Sequence, residues 1–120
     1  MKIVVTGGRD FNEPYFVGRH LDKLHAKYRF TALVEGGARG VDRFAKHWAR
    51  QATPAVIHIS EPITQDEWDQ YGKMAGAVRN GRMLRIHTPA LVIAFPGGSG
   101  TANCVELAEA LGIDIVRIGR

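Results

Sequence analysis

The feature that most constrains this chain is an apolar run that ends in a cluster of glycines and is followed by a helical pattern. Leu91–Phe95 is apolar throughout, which is typical of a strand buried on both faces of a sheet. Pro96–Gly100 contains three glycines and ends the strand, and Thr101 can cap a helix whose apolar residues recur at helical spacing as far as Leu111. This arrangement lets backbone N–H groups and the positive end of a helix dipole surround a phosphate. The segment predicts a phosphate site, assisted by the hydroxyls of Ser99 and Thr101, or else a tight turn with a helix cap.

The same succession occurs twice more, nearer the start of the chain. Lys2–Thr6 is a short apolar strand that runs into Gly7 and Gly8, and Thr31–Glu35 runs into Gly36–Gly40. A helical apolar pattern follows each of them. Because ligands of parallel α/β sheets bind beyond the carboxyl ends of the strands, three glycine loops that follow three strands predict one shared crevice.

The remaining chain completes an alternation of strands and helices. Further predicted elements are helices that begin near Pro14, at Val41 and at Met74, and strands at 56–60 and 114–118. Glu61–Tyr71 has weak periodicity and predicts an irregular excursion or a loop with one turn of helix. Five strands alternating with four helices predict a single α/β domain over residues 1–120, with a five-stranded parallel sheet between two helix layers. In the strand order 3-2-1-4-5, the first and fourth strands are central neighbours and their glycine loops face each other.

Composition narrows the possible partners. Sixteen basic against twelve acidic residues give a net charge of +4, which favours nucleotides and permits nucleic acid. Arg79, Arg82 and Arg85 form a row that is a solvated face or, if the protein binds single-stranded nucleic acid, the place where it binds. A single cysteine and five histidines without ligand spacing predict no disulfide, no metal and no required cofactor. Because no apolar run approaches membrane-spanning length, a cytoplasmic protein without membrane contact is expected.

Two arginines lie where a phosphate needs a counter-charge. Arg9 follows the first glycine pair, and Arg79 lies on the predicted helix that precedes the third glycine loop. A planar guanidinium can bind a phosphate through two donors at once. Each arginine is therefore a candidate phosphate ligand, or else a surface residue or an ion-pair partner of Asp10 or Asp69.

Five other residues have a structural interpretation, and two of them, Glu35 and Trp68, also have a functional one. Glu35 ends a strand at the crevice edge, where it accepts ribose hydroxyls or simply reaches water. Arg39 and Asp42 are interpreted as an internal pair, with Asp42 favoured by the helix dipole. Trp48 lies on an apolar stripe and is interpreted as core, whereas Trp68 stacks on a base or anchors its own loop.

Four segments together resemble a known group of proteins. They read V-T-G-G-R-D-F, E-G-G-A-R-G-V-D-R-F-A-K-H-W-A, A-G-A-V-R-N-G-R-M-L and F-P-G-G-S-G-T-A-N. Over nearly the whole chain and in this order, they resemble the small SLOG-superfamily proteins of the YspA-like, cpYpsA-related type. More distantly, G-G-A-R-G-V-D before A-K-H-W-A is similar to a segment of the DNA-processing protein DprA. Arg79 followed by P-G-G-S-G-T is similar to the LOG phosphoribohydrolases, which release base from nucleoside 5′-monophosphates.

The resemblance implies a Rossmann-like fold and a nucleotide or nucleotide-derived ligand, but no particular reaction. In the LOG enzymes a catalytic glutamate lies two residues after the threonine of this motif, and Asn103 occupies that position here. Asparagine can bind a ribose hydroxyl, but it supplies neither the negative charge nor the proton acceptor that N-glycosidic cleavage uses. If the chain is such a hydrolase, the candidate catalytic residues are Arg79 and a carboxylate, which is either Glu106, one turn beyond Asn103 along the helix, or Glu35.

These observations lead to three functional hypotheses. The first is phosphate-mediated binding of a nucleotide or derivative by a sensor or sequestering module. The others are LOG-like hydrolysis and DprA-like binding of single-stranded nucleic acid. A homo-oligomer is expected from the fold class, because small open sheets cover apolar helix faces by association. The candidate ligand-binding residues are Gly7, Gly8, Arg9, Glu35, Gly36, Gly37, Arg79, Asn80, Pro96, Gly97, Gly98, Ser99, Gly100, Thr101 and Asn103.

Overall fold

The computed structural model describes all 120 residues. It contains five strands and five α-helices, with a short 3₁₀ turn at Gly72–Met74. In chain order the elements are β1 (Lys2–Thr6), α1 (Pro14–Tyr28), β2 (Ala32–Glu35), α2 (Val41–Gln51), β3 (Ile57–Ser60), α3 (Gln65–Tyr71), α4 (Ala75–His87), β4 (Leu91–Ala94), α5 (Ser99–Ala110) and β5 (Asp114–Arg117).

The sheet is parallel throughout, in the order β3-β2-β1-β4-β5. The central strands are mainly apolar and buried on both faces: every residue of β2 and β4 is buried, and so are the three middle residues of β1. The edge strands have exposed positions, and the Ile57 side chain of β3 is 66% exposed. The predicted α/β class, parallel pairing and strand order are confirmed.

Two apolar clusters pack on opposite faces of the sheet. On one face α1 and α2 contribute Leu21 and Ala45 against Ile3 of β1. On the other face, α4 and α5 contribute Leu84 and Cys104. The architecture is therefore the three-layer, Rossmann-like arrangement in which ligands bind at the strands' carboxyl ends.

The segment after β3 differs from its prediction. Instead of an irregular loop with at most one turn of helix, it contains α3 and the 3₁₀ turn. Polar contacts stabilise α3: Thr64 and Glu67 form a capping box, and Arg82 of α4 binds both carboxylate oxygens of Glu67 at 2.9 and 3.0 Å. This pairing lowers the pKa of Glu67 to about 2. Since its stability does not come from an apolar stripe, the helix has no periodic signal.

The length and apolarity that a helix needs in order to cross a bilayer are found in none of the five helices.

Candidate functional site

A cleft of about 830 Å³ lies where β1 and β4 end. These two strands are neighbours, and their connections leave toward opposite faces of the sheet, so the cleft occupies the switch point of the strand order. Its volume lies within the range of about 300–1,000 Å³ that is typical of small-molecule sites. The candidate residues that line it are Gly7, Gly8, Arg9, Arg79, Asn80, Pro96, Gly97, Gly98, Ser99, Gly100, Thr101 and Asn103.

Gly7 and Gly8 join the loops to one another. The Gly8 N–H donates to the carbonyl of Pro96 at 2.9 Å, and the Gly8 carbonyl accepts from Val41 N at 3.2 Å. A Cβ atom on Gly7 would lie 2.5 Å from a methyl group of Val41. Because these contacts engage the Gly8 amide, Gly8 shapes the cleft and does not donate to a ligand there.

The loop between β2 and α2 is closed by packing. Gly40 has a φ of +76°, and a Cβ there would lie 2.3 Å from the Gly8 carbonyl oxygen. A Cβ on Gly36 would meet the Arg79 guanidinium at 2.6 Å. Gly36 and Gly37, both candidate ligand-binding residues, lie outside the cleft lining. They hold a neighbouring loop in place instead.

The loop between β4 and α5 is open. Gly98 is the N-cap residue of α5, no side chain caps this helix, and Ser99 is its first residue. Thr101, predicted as the cap, lies in the first turn, and its hydroxyl packs over Gly97. The N–H groups of the first turn have no acceptor within the helix. A Cβ on Gly98 or Gly100 would have no atom within 4 Å beyond its chain neighbours and its own helix, so both glycines border free space in the cleft.

Arg79 and Asn80 connect this turn to the rest of the site. Arg79 Nη1 donates to the carbonyls of Gly36 and Glu61, and its Nε donates to Asn80 Oδ1 at 3.0 Å. Asn80 Nδ2 in turn donates to the Gly100 carbonyl at 3.2 Å and to Asn103 Oδ1 at 3.0 Å. Arg79 Nη2 makes no hydrogen bond within the protein. Arg79 therefore fixes the β2–α2 loop and still has a donor available at the cleft.

The ion pairs expected from the sequence are arranged differently. Asp10 pairs with Arg39 at 2.7 Å, so neither the Arg9–Asp10 pair nor the Arg39–Asp42 pair exists. Asp69 accepts from Gln65 and makes no contact with Arg79. These pairings depend on how separate loops meet, which adjacency in the sequence does not show.

The positive charge of the cleft comes from Arg9, Lys73 and Arg79. Lys73 belongs to the 3₁₀ turn after α3, and sequence reasoning missed it because this segment carries no motif. Arg82 is not part of a free basic row, since Glu67 and Glu61 bind its guanidinium.

Glu35 and Glu106 do not line the cleft. The Glu35 side chain is 1% exposed; one oxygen accepts from the Gly37 amide, and the other lies 2.7 Å from His58 Nε2. It therefore reaches neither a ribose nor water. Glu106 is exposed, and at 1.5 Å per residue it lies about 10 Å further along α5 than Ser99. Glu35 is thus already bound within the protein, and Glu106 lies beyond the first turn of α5.

Asp42 is the buried carboxyl of the cleft. The residue is 6% exposed, and its Oδ2 accepts from the Ala38 amide at 3.2 Å. Burial raises the pKa of Asp42 to about 7, and the negative charge of Glu35 adds to the shift, against the effects of the Ala38 amide and Arg79. Asp42 therefore titrates near neutral pH beside the place where an anion would bind.

The comparisons with known proteins agree with this fold. Residues 1–60, half of the chain, match the YspA, cpYpsA-related SLOG family, abbreviated YAcAr. The chain is also 31% identical over 121 aligned residues to the Gene 61 protein of Mycobacterium phage D29, covering 98% of this chain and 96% of that protein. The chain therefore belongs to the YspA, cpYpsA-related SLOG family.

Proposed function

We propose that the cleft binds the phosphate of a nucleotide or nucleotide-derived ligand, and that the protein acts as a sensor or sequestering module. The observation that carries this proposal is the uncapped first turn of α5, which opens into the cleft beside two glycines without packing neighbours. Free N–H groups and the positive end of the helix dipole favour an anion at this position.

The charges around the cleft support the same ligand. Arg9, Lys73 and Arg79 line it, whereas Asp10 is neutralised by Arg39 and Asp42 titrates near pH 7. An anion therefore meets a positive surface with one free guanidinium nitrogen on Arg79. Membership of a SLOG family is consistent with a nucleotide-related function.

Release of small molecules from the purified, heat-denatured protein, detected by mass spectrometry, tests the ligand class. Calorimetric titration with any nucleotide recovered follows, together with AMP, GMP, CMP, UMP and inorganic pyrophosphate. An intact nucleotide bound stoichiometrically is the expected result. If no phosphate-containing compound copurifies or binds, the proposal is wrong.

Ser99→Asp tests the site itself. A carboxylate at the first position of α5 favours the helix dipole, so the free energy of unfolding is expected not to fall. The same charge repels a phosphate, and nucleotide affinity is expected to drop at least tenfold. Ala102→Asp is the matched control, because Ala102 is exposed on the same helix and lies outside the cleft lining. Equal affinities of the two variants would place the phosphate elsewhere.

Hydrolysis of an N-glycosidic bond has less support. Asn103 holds the position of the LOG glutamate and is bound by Asn80, and neither Glu35 nor Glu106 lines the cleft. We therefore expect no base release when the protein is incubated with the four nucleoside monophosphates. Binding of single-stranded nucleic acid through the basic row also has less support, because Arg82 is bound by two glutamates.

A further inference from the structure

The two tryptophans of the chain differ in their surroundings. Trp48 packs against the core, and its indole Nε1 donates to Asp22 at 2.8 Å. Trp68 is 51% exposed, lines the cleft and makes no hydrogen bond or aromatic contact with its side chain. Tryptophan side chains are usually well buried. A half-exposed indole at a concave site is therefore a candidate ligand contact.

Two other apolar side chains extend this surface. Ile63 lies just before α3, and Met74, which is 61% exposed, ends the 3₁₀ turn that follows α3. Both residues line the cleft with Trp68. A polarizable thioether beside an aromatic face suits a flat heterocycle. We call these three residues the apolar wall.

Polar contacts of neighbouring residues hold the segment that carries the apolar wall. The capping box of Thr64 and Glu67 fixes the start of α3. Arg82 ties α3 to α4 through Glu67 and also donates to the Pro62 carbonyl at 3.0 Å. These polar contacts do not involve the Trp68 side chain, and a pre-organised aromatic surface loses little entropy when a ligand binds.

We propose that Ile63, Trp68 and Met74 form a base-binding subsite in which the indole face of Trp68 stacks on the nucleobase of the ligand. This inference rests on the proposed function, because the first turn of α5, where we propose that the phosphate binds, lines the same cleft. Lys73 lies between Trp68 and Met74 in the sequence and lines the cleft as well, so the subsite adjoins positive charge. The ligand is accordingly a compound that contains both a phosphate and an aromatic base, rather than a sugar phosphate.

Calorimetric titration with AMP and with ribose 5-phosphate separates the subsite from the phosphate site. Wild-type protein is expected to bind AMP at least tenfold more tightly than ribose 5-phosphate. Trp68→Ala is expected to remove most of this difference and to leave ribose 5-phosphate affinity unchanged, whereas Trp68→Phe keeps an aromatic face and most of the AMP affinity. Tyr71→Ala is the matched control, since Tyr71 is also exposed on α3 but lies outside the cleft lining.

Quenching of tryptophan fluorescence by AMP gives a second measurement. The quenching is expected in wild-type protein and lost in Trp68→Phe, because Trp48 lies outside the cleft. If AMP and ribose 5-phosphate bind equally and Trp68→Ala affects neither, the base-binding subsite is wrong while the phosphate site stands. If neither compound binds, and no other nucleotide copurifies or binds, the phosphate site is wrong and the subsite falls with it.

Discussion

The loop between β2 and α2 and the loop between β4 and α5 look alike in the sequence and differ in the structure. Each follows a buried strand, contains three glycines and starts a helix without a side-chain cap. In the first loop, the Gly8 carbonyl accepts from the start of α2, and Asp42 binds the Ala38 amide. In the second, the first turn of α5 faces the cleft. The polar groups of the β2–α2 loop are bound within the protein, whereas the β4–α5 loop has N–H donors available for a ligand.

Gly36 and Gly40 of the first loop differ from Gly98 and Gly100 of the second, whereas Gly97 of the second loop is packed like the first pair, since a Cβ there would lie 2.7 Å from Gly8 N. A side chain at Gly36 or Gly40 would overlap the Arg79 guanidinium or the Gly8 carbonyl, so glycine is needed for packing. A Cβ atom at Gly98 or Gly100 would meet no atom within 4 Å beyond its chain neighbours and its own helix, so packing against other elements does not require glycine there. A glycine cluster thus indicates a close approach of atoms, and only the structure tells whether these atoms belong to the protein or lie in a ligand site.

The largest effect is expected from Gly40→Ala in the closed loop. The backbone at Gly40 combines a φ of +76° with a ψ of −129°, and the new Cβ would lie 2.3 Å from the Gly8 carbonyl oxygen. Strain and overlap together are expected to cost about 3 kcal/mol or more. Urea denaturation followed by circular dichroism measures the loss. If the urea midpoint of the variant equals that of the wild type, the closed loop accommodates the methyl group without cost. The two loops would then not differ in packing as we describe.

The next effect is a pH dependence of stability that Asp42 gives to the closed loop. Because burial raises the pKa of Asp42 from 3.8 to about 7, the folded protein holds a proton that the unfolded chain releases between these values. Stability from this group is therefore complete below about pH 4 and is lost as the pH rises through 7. The expected loss between pH 5 and pH 8 is about 3 kcal/mol.

Asp42→Asn is the variant that tests this assignment. It is expected to flatten the decline of the unfolding free energy above pH 5, measured by urea denaturation at several pH values. Glu67→Gln is the control, because the pKa of Glu67 is lowered to about 2 and its contribution is lost only as the pH falls below about 4.5. Parallel curves for wild type and Asp42→Asn above pH 5 would show that another group titrates.

Gly100→Ala in the open loop is expected to have a small effect on stability and a selective one on binding. Alanine in place of glycine within a helix stabilises by about 0.5 kcal/mol, and here nothing opposes the new methyl group. The same methyl group enters the cleft, so nucleotide affinity is expected to fall roughly tenfold, or about 1.4 kcal/mol. Calorimetry and urea denaturation on one preparation measure both. Lower stability with unchanged affinity would reverse the roles that we give the two loops.

The fold could be predicted because its signals are local. The central strands are uninterrupted apolar runs, α2 has regular apolar spacing, and glycines mark the strand ends, so strand order and cleft position follow from topology. The helix α3 was missed although Thr64-Gln65-Asp66-Glu67 has capping-box spacing, a signal independent of apolar periodicity.

The roles of individual site residues were harder to predict, because they depend on contacts between distant segments. Glu35 is buried at the end of β2 and pairs with His58 of the neighbouring strand. The sequence alone does not show this pairing, because it does not give the register of the two strands. The Asp10–Arg39 pair likewise joins two loops 29 positions apart in the chain. Sequence reasoning therefore located the cleft but could not assign which carboxylates and amides are already bound within the protein.

The smallest effect is expected from Glu106→Gln, a substitution on α5 beyond the open loop. Glu106 was a candidate catalytic residue, yet its side chain is exposed on α5, outside the cleft lining. Glu106→Gln is therefore expected to change nucleotide affinity, and the free energy of unfolding, by less than about 0.5 kcal/mol. Calorimetry with AMP and a base-release assay on wild type and variant check this. If the wild type releases base and Glu106→Gln does not, the functional part of α5 extends by two turns and hydrolysis becomes the better account of the cleft. If wild type and variant have equal affinity and equal base release, the function of α5 is confined to its first turn, where the N–H groups are free.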